Sequence, residues 1–242
     1  MMLKQAPGLA DQVYDAIVDE ICDGHLAAGM HLGQEQLAAR FGVSRQPIQQ
    51  AMARLRADGM VEELGRRGLF VARLDRTRTR QHYGVRAALD GYAARIAATR
   101  VQRDCTFAAT IAREGSVILE AGNAAAAAGV ISEQIRLDAA LHQMIYALSG
   151  NPMIGIAAEP HWRFLRRAMS DVLRQTDLPR TIWSEHAAIV AAIVEGDPAR
   201  AERLVLDHAE VAAELLSGAL APGDERDNEV ALAHAARGRR WR

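Results

Sequence analysis

Residues 34–60 read QEQLAARFGVSRQPIQQAMARLRADGM, in which two short helical patterns are joined by a tight turn. The first pattern stops at Gly42, a residue type that readily adopts the positive φ angle found at many helix ends. Ser44 has a side chain suited to an N-cap, because its hydroxyl can accept a hydrogen bond from an unpaired N–H of the next helix. Pro47 falls in the first turn of that helix, where its missing N–H costs little. The stretch therefore predicts a helix-turn-helix.

The second helix, expected over residues 44–56, has two different faces. Its apolar residues recur with the spacing of a buried helical stripe and are Ile48, Met52 and Leu55. The other face carries Arg45, Gln46 and Gln49, whose side chains can read guanine and adenine edges in the major groove of DNA. An ordinary helical hairpin with a solvated polar face is the alternative that this stretch alone leaves open.

The segment that follows favours the DNA-binding reading. Residues 62–71, EELGRRGLFV, place an arginine pair between two glycines and then continue as an alternating, β-prone run. A β-hairpin after a helix-turn-helix makes a winged helix, whose wing can reach phosphates or the adjacent minor groove. The candidate DNA-contacting residues are Ser44, Arg45, Gln46, Gln49, Arg54, Arg66, Arg67 and Gly68.

The overall charge gives this reading little support. The chain of 242 residues has a formal net charge of −1, and residues 1–75 contain eight Lys or Arg against ten Asp or Glu, a net of −2. Nonspecific attraction to DNA should therefore be modest. Binding would depend on dimerisation and on a few local cations.

Composition and cysteine content indicate the class of protein. Half of the residues are apolar, aromatic residues are few and alanine is abundant, which favours a mainly α-helical protein. Cys22 and Cys105 are too few for a disulfide framework. The sequence shows neither a signal-peptide core nor an apolar run of the roughly 20 residues that a membrane span needs. We therefore expect a soluble, cytoplasmic protein that does not contact a membrane.

The apolar periodicity of the rest of the chain predicts an antiparallel helical bundle. The expected helices are 81–100, 104–122, 125–149, 153–174, 180–195 and 198–217. The expected organisation is a flexible arm at 1–10, a winged helix-turn-helix domain at 11–73, a charged linker at 74–79, a helical effector-binding and dimerisation domain at 80–217, and a disordered tail at 218–242.

Four residues of the bundle form a candidate metal site. Asp138 and His142 are four residues apart, on one face of a helix, while His186 and His208 each share a face with aliphatic residues. Three imidazoles and a carboxylate directed into one apolar interior are costly unless they are satisfied. A divalent ion such as Zn, Ni, Mn or Fe would satisfy them together. The alternative is that each histidine is a hydrogen-bonded core residue.

Residues 11–73 resemble the DNA-binding domain of the GntR family of bacterial transcription regulators. The resemblance is carried by VYDAI at 13–17, GHL at 24–26, GVSRQPI at 42–48 and DG at 58–59. It implies a winged helix whose second helix enters the major groove. The chain departs from the family at Gln49 and Gln50, which stand where an Arg-Glu pair is usual. Gln49 can still pair bidentately with adenine, so the preferred operator would be different.

Residues 80–217 resemble the all-helical FCD effector domain of the FadR-type branch of the same family. The resemblance is carried by DAALH at 138–142, SGNP at 149–152, EH at 185–186, DPA at 197–199 and His208. It implies that an ion is held by Asp138, His142, His186 and His208, with a small organic acid bound beside it. Leu141 stands where the family usually has Phe. The candidates for holding the other end of the acid are Arg86, Arg163 and Arg167.

Together these features predict a ligand-responsive repressor that binds a double-stranded, inverted-repeat operator as a homodimer. Binding of an organic acid would favour one dimer geometry, and the 74–79 linker is where we expect the coupling to pass. One alternative is a metal sensor in which the ion itself is the signal. Another is a metal-dependent hydrolase, against which the attached winged helix and the lack of an evident general base argue.

Overall fold

The computed structural model describes residues 8–174 and 181–220, apart from the side chain of Arg66. Most of the expected N-terminal arm, the break at 177–179 and most of the expected C-terminal tail lie outside these residues. The described residues correct two expected boundaries. The first helix begins at Leu9, inside the expected arm, and the last helix continues to Ala219, inside the expected tail. The described residues are mainly helical, with one small hairpin, as the sequence predicts.

The N-terminal domain is a winged helix-turn-helix. It consists of α1 (Leu9–Cys22), α2 (Gln34–Phe41), α3 (Arg45–Ala57), β1 (Val61–Glu63) and β2 (Leu69–Val71). Gly42 ends α2 with a φ of 65°, as the sequence indicates. Ser44 occupies the N-cap position of α3, but its side chain makes no capping hydrogen bond, so that part of the prediction was wrong. The apolar stripe on α3 packs against α1, which leaves the polar face outside.

The wing is a short antiparallel hairpin. Val61 pairs with Val71 and Glu63 pairs with Leu69, with a 3₁₀ turn at Gly65–Arg67 between the strands. Gly68 closes this turn with a φ of 103°, and a Cβ atom there would lie 2.9 Å from Nε2 of His31. The position therefore favours glycine for its conformation, since the exposed His31 side chain could move away from a Cβ atom.

The C-terminal domain is a helical bundle that encloses the larger hydrophobic core. Its helices are α4 (Arg76–Arg103), α5 (Thr106–Ala127), α6 (Ile131–Ser149), α7 (Pro152–Leu173), α8 (Ile182–Val194) and α9 (Pro198–Ala219). Helix α5 runs through the alanine-rich segment and stops before Gly129, five residues later than expected. Alanine has the highest helix propensity, so this segment extends α5 and does not begin α6.

The expected linker is largely helical, which corrects the prediction for 74–79. Asp75 caps α4 by accepting a hydrogen bond from the Arg78 N–H at 2.8 Å. Arg76 and Arg80 then reach α9, where both donate hydrogen bonds to Ser217. These charges therefore serve capping and helix packing, which periodicity of apolar residues cannot reveal.

Helix α7 contacts the winged domain through a set of arginines that we call the arginine clamp. Its members are Arg163, which pairs with Asp58; Arg166, which pairs with Asp19; Arg167, which donates to the carbonyls of Met60 and Ala72; and Arg174, which donates to the carbonyl of Cys22. Arg163 and Arg167 therefore face the winged domain and not the His/Asp cluster. That they hold an effector stays a prediction; here their printed hydrogen bonds go to Asp58, Glu159 and the carbonyls of Met60 and Ala72.

Candidate metal centre and DNA-binding surface

The four predicted ligands come together from three helices. Helix α6 supplies Asp138 and His142, α8 supplies His186, and α9 supplies His208. One nitrogen or oxygen atom from each lies within 4.8 Å of the others. Asp138 Oδ1 is 3.1 Å from His186 Nε2, which is itself 3.2 Å from His208 Nε2. These atoms converge on one point, as the ligands of a single ion would.

The cluster is buried, and burial sets its protonation. His142 and His186 are at most 1 % exposed. Burial lowers the pKa of His186 to about 4 and also lowers the pKa of His142, to which the Arg86 charge contributes. Burial alone would raise the pKa of Asp138, but the hydrogen bond from His186 and the nearby imidazoles hold it below its usual range. Neutral imidazoles and an ionised carboxylate are the forms that bind metal.

Two further carboxylates lie behind the histidines. Glu185 Oε2 is hydrogen-bonded to His208 Nδ1 at 2.8 Å, and Asp90 Oδ2 lies 3.1 Å from His142 Nδ1. At His208, the Glu185 carboxylate holds the proton on Nδ1 and leaves the Nε2 lone pair for an ion. Asp90 lies close to Nδ1 of His142 without a hydrogen bond of standard geometry. The hydrogen bond from His208 lowers the pKa of Glu185, and the pKa of Asp90 falls to about 2 beside His142 and Arg86 although burial opposes this.

The donor set fits a divalent transition metal. Three imidazole nitrogens and one carboxylate oxygen suit Zn, Ni, Mn or Fe. Nδ1 of His186 is buried without a hydrogen-bonding partner among the described residues, so the ring is held by its Nε2 side. A bound ion would replace the close approach of His186 to His208 with two metal–nitrogen bonds. The four residues could therefore hold a metal ion.

Arg86 lies next to this cluster, and its role in binding an effector stays a prediction. Its guanidinium is 1 % exposed, and Nε donates to Asp90 Oδ2 at 2.9 Å. Its Nη2 lies 2.9 Å from His142 Nε2, the nitrogen that faces the other ligands. The guanidinium also stacks 3.9 Å from the ring of Trp162. It is therefore a buried cation in contact with one of the four clustered side chains.

Sequence reasoning missed several residues that build this centre. Asp90 contacts Arg86 and Glu185 contacts His208. Tyr146 donates to Asp90, and Trp162 donates to Tyr146 and stacks on Arg86. A signal was available for two of them. Asp90 follows Arg86 by four residues and Tyr146 follows His142 by four, so each pair shares a helix face. Glu185 and Trp162 are brought in only by helix packing.

The polar face of α3 is available for DNA. Ser44, Gln46 and Gln49 are exposed. Arg45 is also exposed, with 67 % of its side-chain surface accessible, and pairs with Glu35 of α2. An exposed ion pair contributes little to stability, so Arg45 can leave Glu35 for a base or a phosphate.

The other predicted DNA contacts differ from one another. Arg54 pairs with Asp11 and stacks over Tyr14 of α1, and 42 % of its side-chain surface remains accessible. Arg67 is exposed at the tip of the wing, and Gly68 shapes the turn beside it. The side chain of Arg66 lies outside the described part of the chain. Arg56, which sequence reasoning passed over, is exposed at the groove between α3 and the wing and pairs with Glu63 at 2.8 Å.

Comparison with known families divides the chain in the same way. Residues 9–71 match "Bacterial regulatory proteins, gntR family", and residues 81–211 match "FCD domain". The second match alone covers more than half of the chain.

Curated relatives cover most of the chain at low identity. The "Probable D-xylose utilization operon transcriptional repressor" of Paenarthrobacter nicotinovorans is 29% identical over 203 residues, which is 83% of this chain and 85% of the relative. The "HTH-type transcriptional repressor RspR" of Escherichia coli (strain K12) is 21% identical and covers 81% of this chain and 84% of its own.

Solved structures share the fold. A putative GntR regulator from Rhodococcus sp. RHA1 has a TM-score of 0.71 at 19% identity and covers 88% of this chain and 99% of its own. E. coli McbR/YncC has a TM-score of 0.69 at 20% identity and covers 86% of this chain and 97% of its own. Within the part of the chain that the structure describes, no helix is both long enough and apolar enough to cross a bilayer.

Proposed function

This chain belongs to the GntR family of bacterial transcription regulators, in the branch that carries an FCD domain, and from that premise we propose that it is a homodimeric repressor released from an inverted-repeat operator by a small organic acid. Family members are transcription regulators and not enzymes, which argues against the hydrolase alternative. Two of the curated relatives are described as repressors. The proposed acid binds in the helical domain beside a divalent ion, which would be Zn, Ni, Mn or Fe.

The observation that carries this proposal is that one helix contacts both sites. On α7, Trp162 stacks on Arg86 and donates through Nε1 to the Tyr146 hydroxyl at 2.9 Å. The next residue, Arg163, pairs with Asp58 at the end of α3 at 3.2 Å. Because α7 is continuous across these positions, a shift of Trp162 moves the first member of the arginine clamp with it.

The rest of the clamp makes the domain orientation depend on α7. Arg167 and Arg174 donate to main-chain carbonyls, and Arg166 pairs with a carboxylate of α1. Carbonyls of Met60 and Ala72 flank the wing, so contacts with them fix its base. Charged donors on oriented carbonyls are strong and directional. The clamp therefore transmits a movement of α7 to the DNA-reading domain.

The proposed ligand acts by changing the surroundings of Arg86. An acid bound beside the ion would offer Arg86 a carboxylate in place of the His142 nitrogen that it now approaches at 2.9 Å. A change in the position of Arg86 alters the surface on which Trp162 rests. The ligand shifts the equilibrium only if it binds one orientation of α7 more tightly than the other.

The proposed DNA complex places α3 in the major groove, with Arg45, Gln46 and Gln49 at base edges. Arg67 on the wing would contact the backbone or the minor groove. In a two-fold dimer, the two recognition helices read half-sites about one helical turn of DNA apart. Because a two-fold axis relates the two recognition helices, the proposed operator is an inverted repeat.

Selection of duplexes from a random pool by the full-length protein tests this function. We expect enrichment of an inverted repeat, a sedimentation mass of two chains, and release of the selected duplex by at least one carboxylic acid. Absence of any enriched sequence would refute the DNA-binding role. Enrichment of a single half-site by a monomer would refute the dimeric reading.

A further inference from the structure

A recess lies between the polar face of α3 and the wing. Its volume is about 190 Å³, and its lining comes from the start of α2, from α3 and from β2, namely Gln34, Gln49, Met52, Ala53, Arg56 and Leu69. The spacing of Gln49, Ala53 and Arg56 places them on one face of α3. The recess therefore continues the surface that carries Arg45 and Gln46 towards the wing.

The rim of the recess is polar. Gln49 and Arg56 are exposed on α3, and Gln34 is half-buried at the start of α2. Among the described residues, the side chains of Gln34 and Gln49 have no hydrogen-bonding partner within the protein, so both amides are available. Ala53 has no side-chain atom beyond Cβ and leaves the space between them open. Guanidinium and amide N–H groups are among the donors that contact phosphate oxygens in DNA complexes.

Arg56 is the only cation in the described lining of the recess. Its Nη1 donates to Oε2 of Glu63 on β1 at 2.8 Å, and 57 % and 54 % of the two side-chain surfaces are accessible. An ion pair so exposed contributes little to stability. The neighbouring Glu62 interacts electrostatically with Arg167 of α7, on the side of the effector domain. Arg56 can therefore exchange Glu63 for another anion at little cost.

The position of the recess matches the path of a DNA strand. In the proposed complex, α3 lies in the major groove and Arg67 at the tip of the wing reaches the adjacent minor groove. One phosphodiester backbone separates adjacent major and minor grooves. This backbone therefore passes between α3 and the wing, over the recess.

Arg56 is placed for a phosphate and not for a base. The helix rises about 16 Å from Arg45 to Arg56, which exceeds the roughly 12 Å width of the major groove. Asp58 follows two residues later and pairs with Arg163 of α7, which keeps this end of α3 against the effector domain. The guanidinium of Arg56 thus lies at the edge of the groove, where the backbone runs.

We propose, resting on the DNA-binding function proposed above, that this recess binds one phosphate of the strand between the two grooves. Arg56 exchanges Glu63 for the phosphate, the Gln34 amide donates to a second oxygen, and Gln49 remains free for a base edge. The contact is independent of base sequence. It supplies a local attraction to DNA that the net charge of −2 over residues 1–75 does not provide.

Salt dependence separates a phosphate contact from a base contact. The full-length protein would be titrated by fluorescence anisotropy with its selected operator and with an unrelated duplex of equal length, over about 50–200 mM salt. Arg56→Gln should weaken binding to both duplexes by the same factor, about tenfold. The slope of log affinity against log salt should become shallower by about 1.8, since a dimer loses two phosphate contacts at about 0.9 each.

Two further variants test the chemistry of the contact. Arg56→Lys keeps a point charge, which suffices for a phosphate, so the slope should be unchanged and the affinity within about threefold of the original. Glu63→Gln removes the competing anion and should tighten binding to both duplexes by the same factor. Arg136→Gln, at the exposed pair with Glu133 on α6, is the matched control and should change neither quantity. An unchanged midpoint of thermal unfolding verifies that each variant is folded.

The outcomes separate this inference from the proposed function. Unchanged affinity and slope in Arg56→Gln overturn the inference and leave the DNA-binding regulator in place. Loss of operator binding alone, with the unrelated duplex unaffected, or a failure of Arg56→Lys to retain the slope, assigns Arg56 to a base and also overturns it. If the original protein binds no duplex at any salt concentration, the proposed function itself is wrong.

Discussion

Arg167 of α7 donates a hydrogen bond to the main-chain carbonyl of Ala72, the residue that follows the second strand of the wing. Arg167 is 1 % exposed and also lies 3.4 Å from the carbonyl of Met60, which precedes the first strand. One guanidinium thus joins both ends of the hairpin to the effector domain. The wing cannot turn relative to α7 without breaking these buried contacts.

Substitution of Arg167 should weaken both stability and coupling. Arg167→Met keeps most of the apolar volume but removes the Arg167 donor from the Ala72 carbonyl, while the Met60 carbonyl keeps its bond from the Ala72 N–H. We expect this to lower the free energy of unfolding by about 1–3 kcal/mol. It should also reduce the change in operator affinity that the ligand causes. Urea unfolding measures the first effect, and DNA titrations with and without the carboxylic acid that releases the selected duplex measure the second. Arg136→Met, at an exposed pair with Glu133, is the control and should change neither. A variant as stable and as responsive as the original would exclude the clamp as the coupling route.

Substitution of His186 should release the ion. His186→Ala removes the side chain that lies within hydrogen-bonding distance of both Asp138 and His208, so no three-histidine set remains. Elemental analysis of the purified protein should then show less than a tenth of the original metal content. The midpoint of thermal unfolding should no longer respond to added Zn²⁺.

His25→Ala, at an exposed histidine of the winged domain, is the control and should retain full metal content. Full occupancy in the His186 variant would mean that the ion is held elsewhere.

Arg45 and Glu35 should act on DNA affinity in opposite directions. Arg45→Ala should cost about 1–3 kcal/mol in operator binding if the guanidinium pairs with a base. Glu35→Gln frees Arg45 from its ion pair and removes a negative charge near the DNA, so it should tighten binding. Fluorescence anisotropy at fixed salt measures both, with Arg136→Ala as an exposed control. Unchanged affinity in the Arg45 variant would remove this residue from the interface.

The stability of the protein should fall in mild acid through His82. Burial, followed by the charges of His161 and Arg78, lowers the pKa of His82 from 6.5 to about 4. Between these values the unfolded state binds more protons than the folded state, so the full stability is present above pH 6.5 and is lost as the pH falls towards 4. His82→Phe keeps the stacking on Phe164, whose ring centroid lies 3.9 Å away, and removes the titration.

Urea unfolding of both proteins between pH 4 and pH 7 provides the measurement. The difference between the two profiles cancels the groups that titrate independently of His82, so it reports His82 together with His161, whose Nδ1 lies 3.1 Å away. The His82→Phe profile should be the flatter one. His25→Phe serves as the exposed control and should follow the original profile. Parallel profiles for the His82 variant and the original would show that His82 does not contribute to the acid sensitivity.

The four candidate ligands could be found from the sequence because each lies on a helix whose buried face is marked by periodicity. The i,i+4 spacing of Asp138 and His142 needs no tertiary information, and the aliphatic neighbours of His186 and His208 direct them inward. The structure brings all four together as expected. Arg163 and Arg167 could not be assigned in this way, because their helix faces two partners and periodicity does not say which partner meets which face.

The sequence by itself determined the winged helix-turn-helix, the helical bundle and the four inward-facing candidate ligands, since each follows from local signals such as Gly42, the α3 stripe and helical spacing. Only the tertiary structure decided that α7 joins the two domains, that Asp90 and Glu185 lie behind the histidines, and that the expected linker is helix. These features depend on contacts between residues far apart in the chain. Their free energy comes from packing and hydrogen bonds that no local pattern encodes.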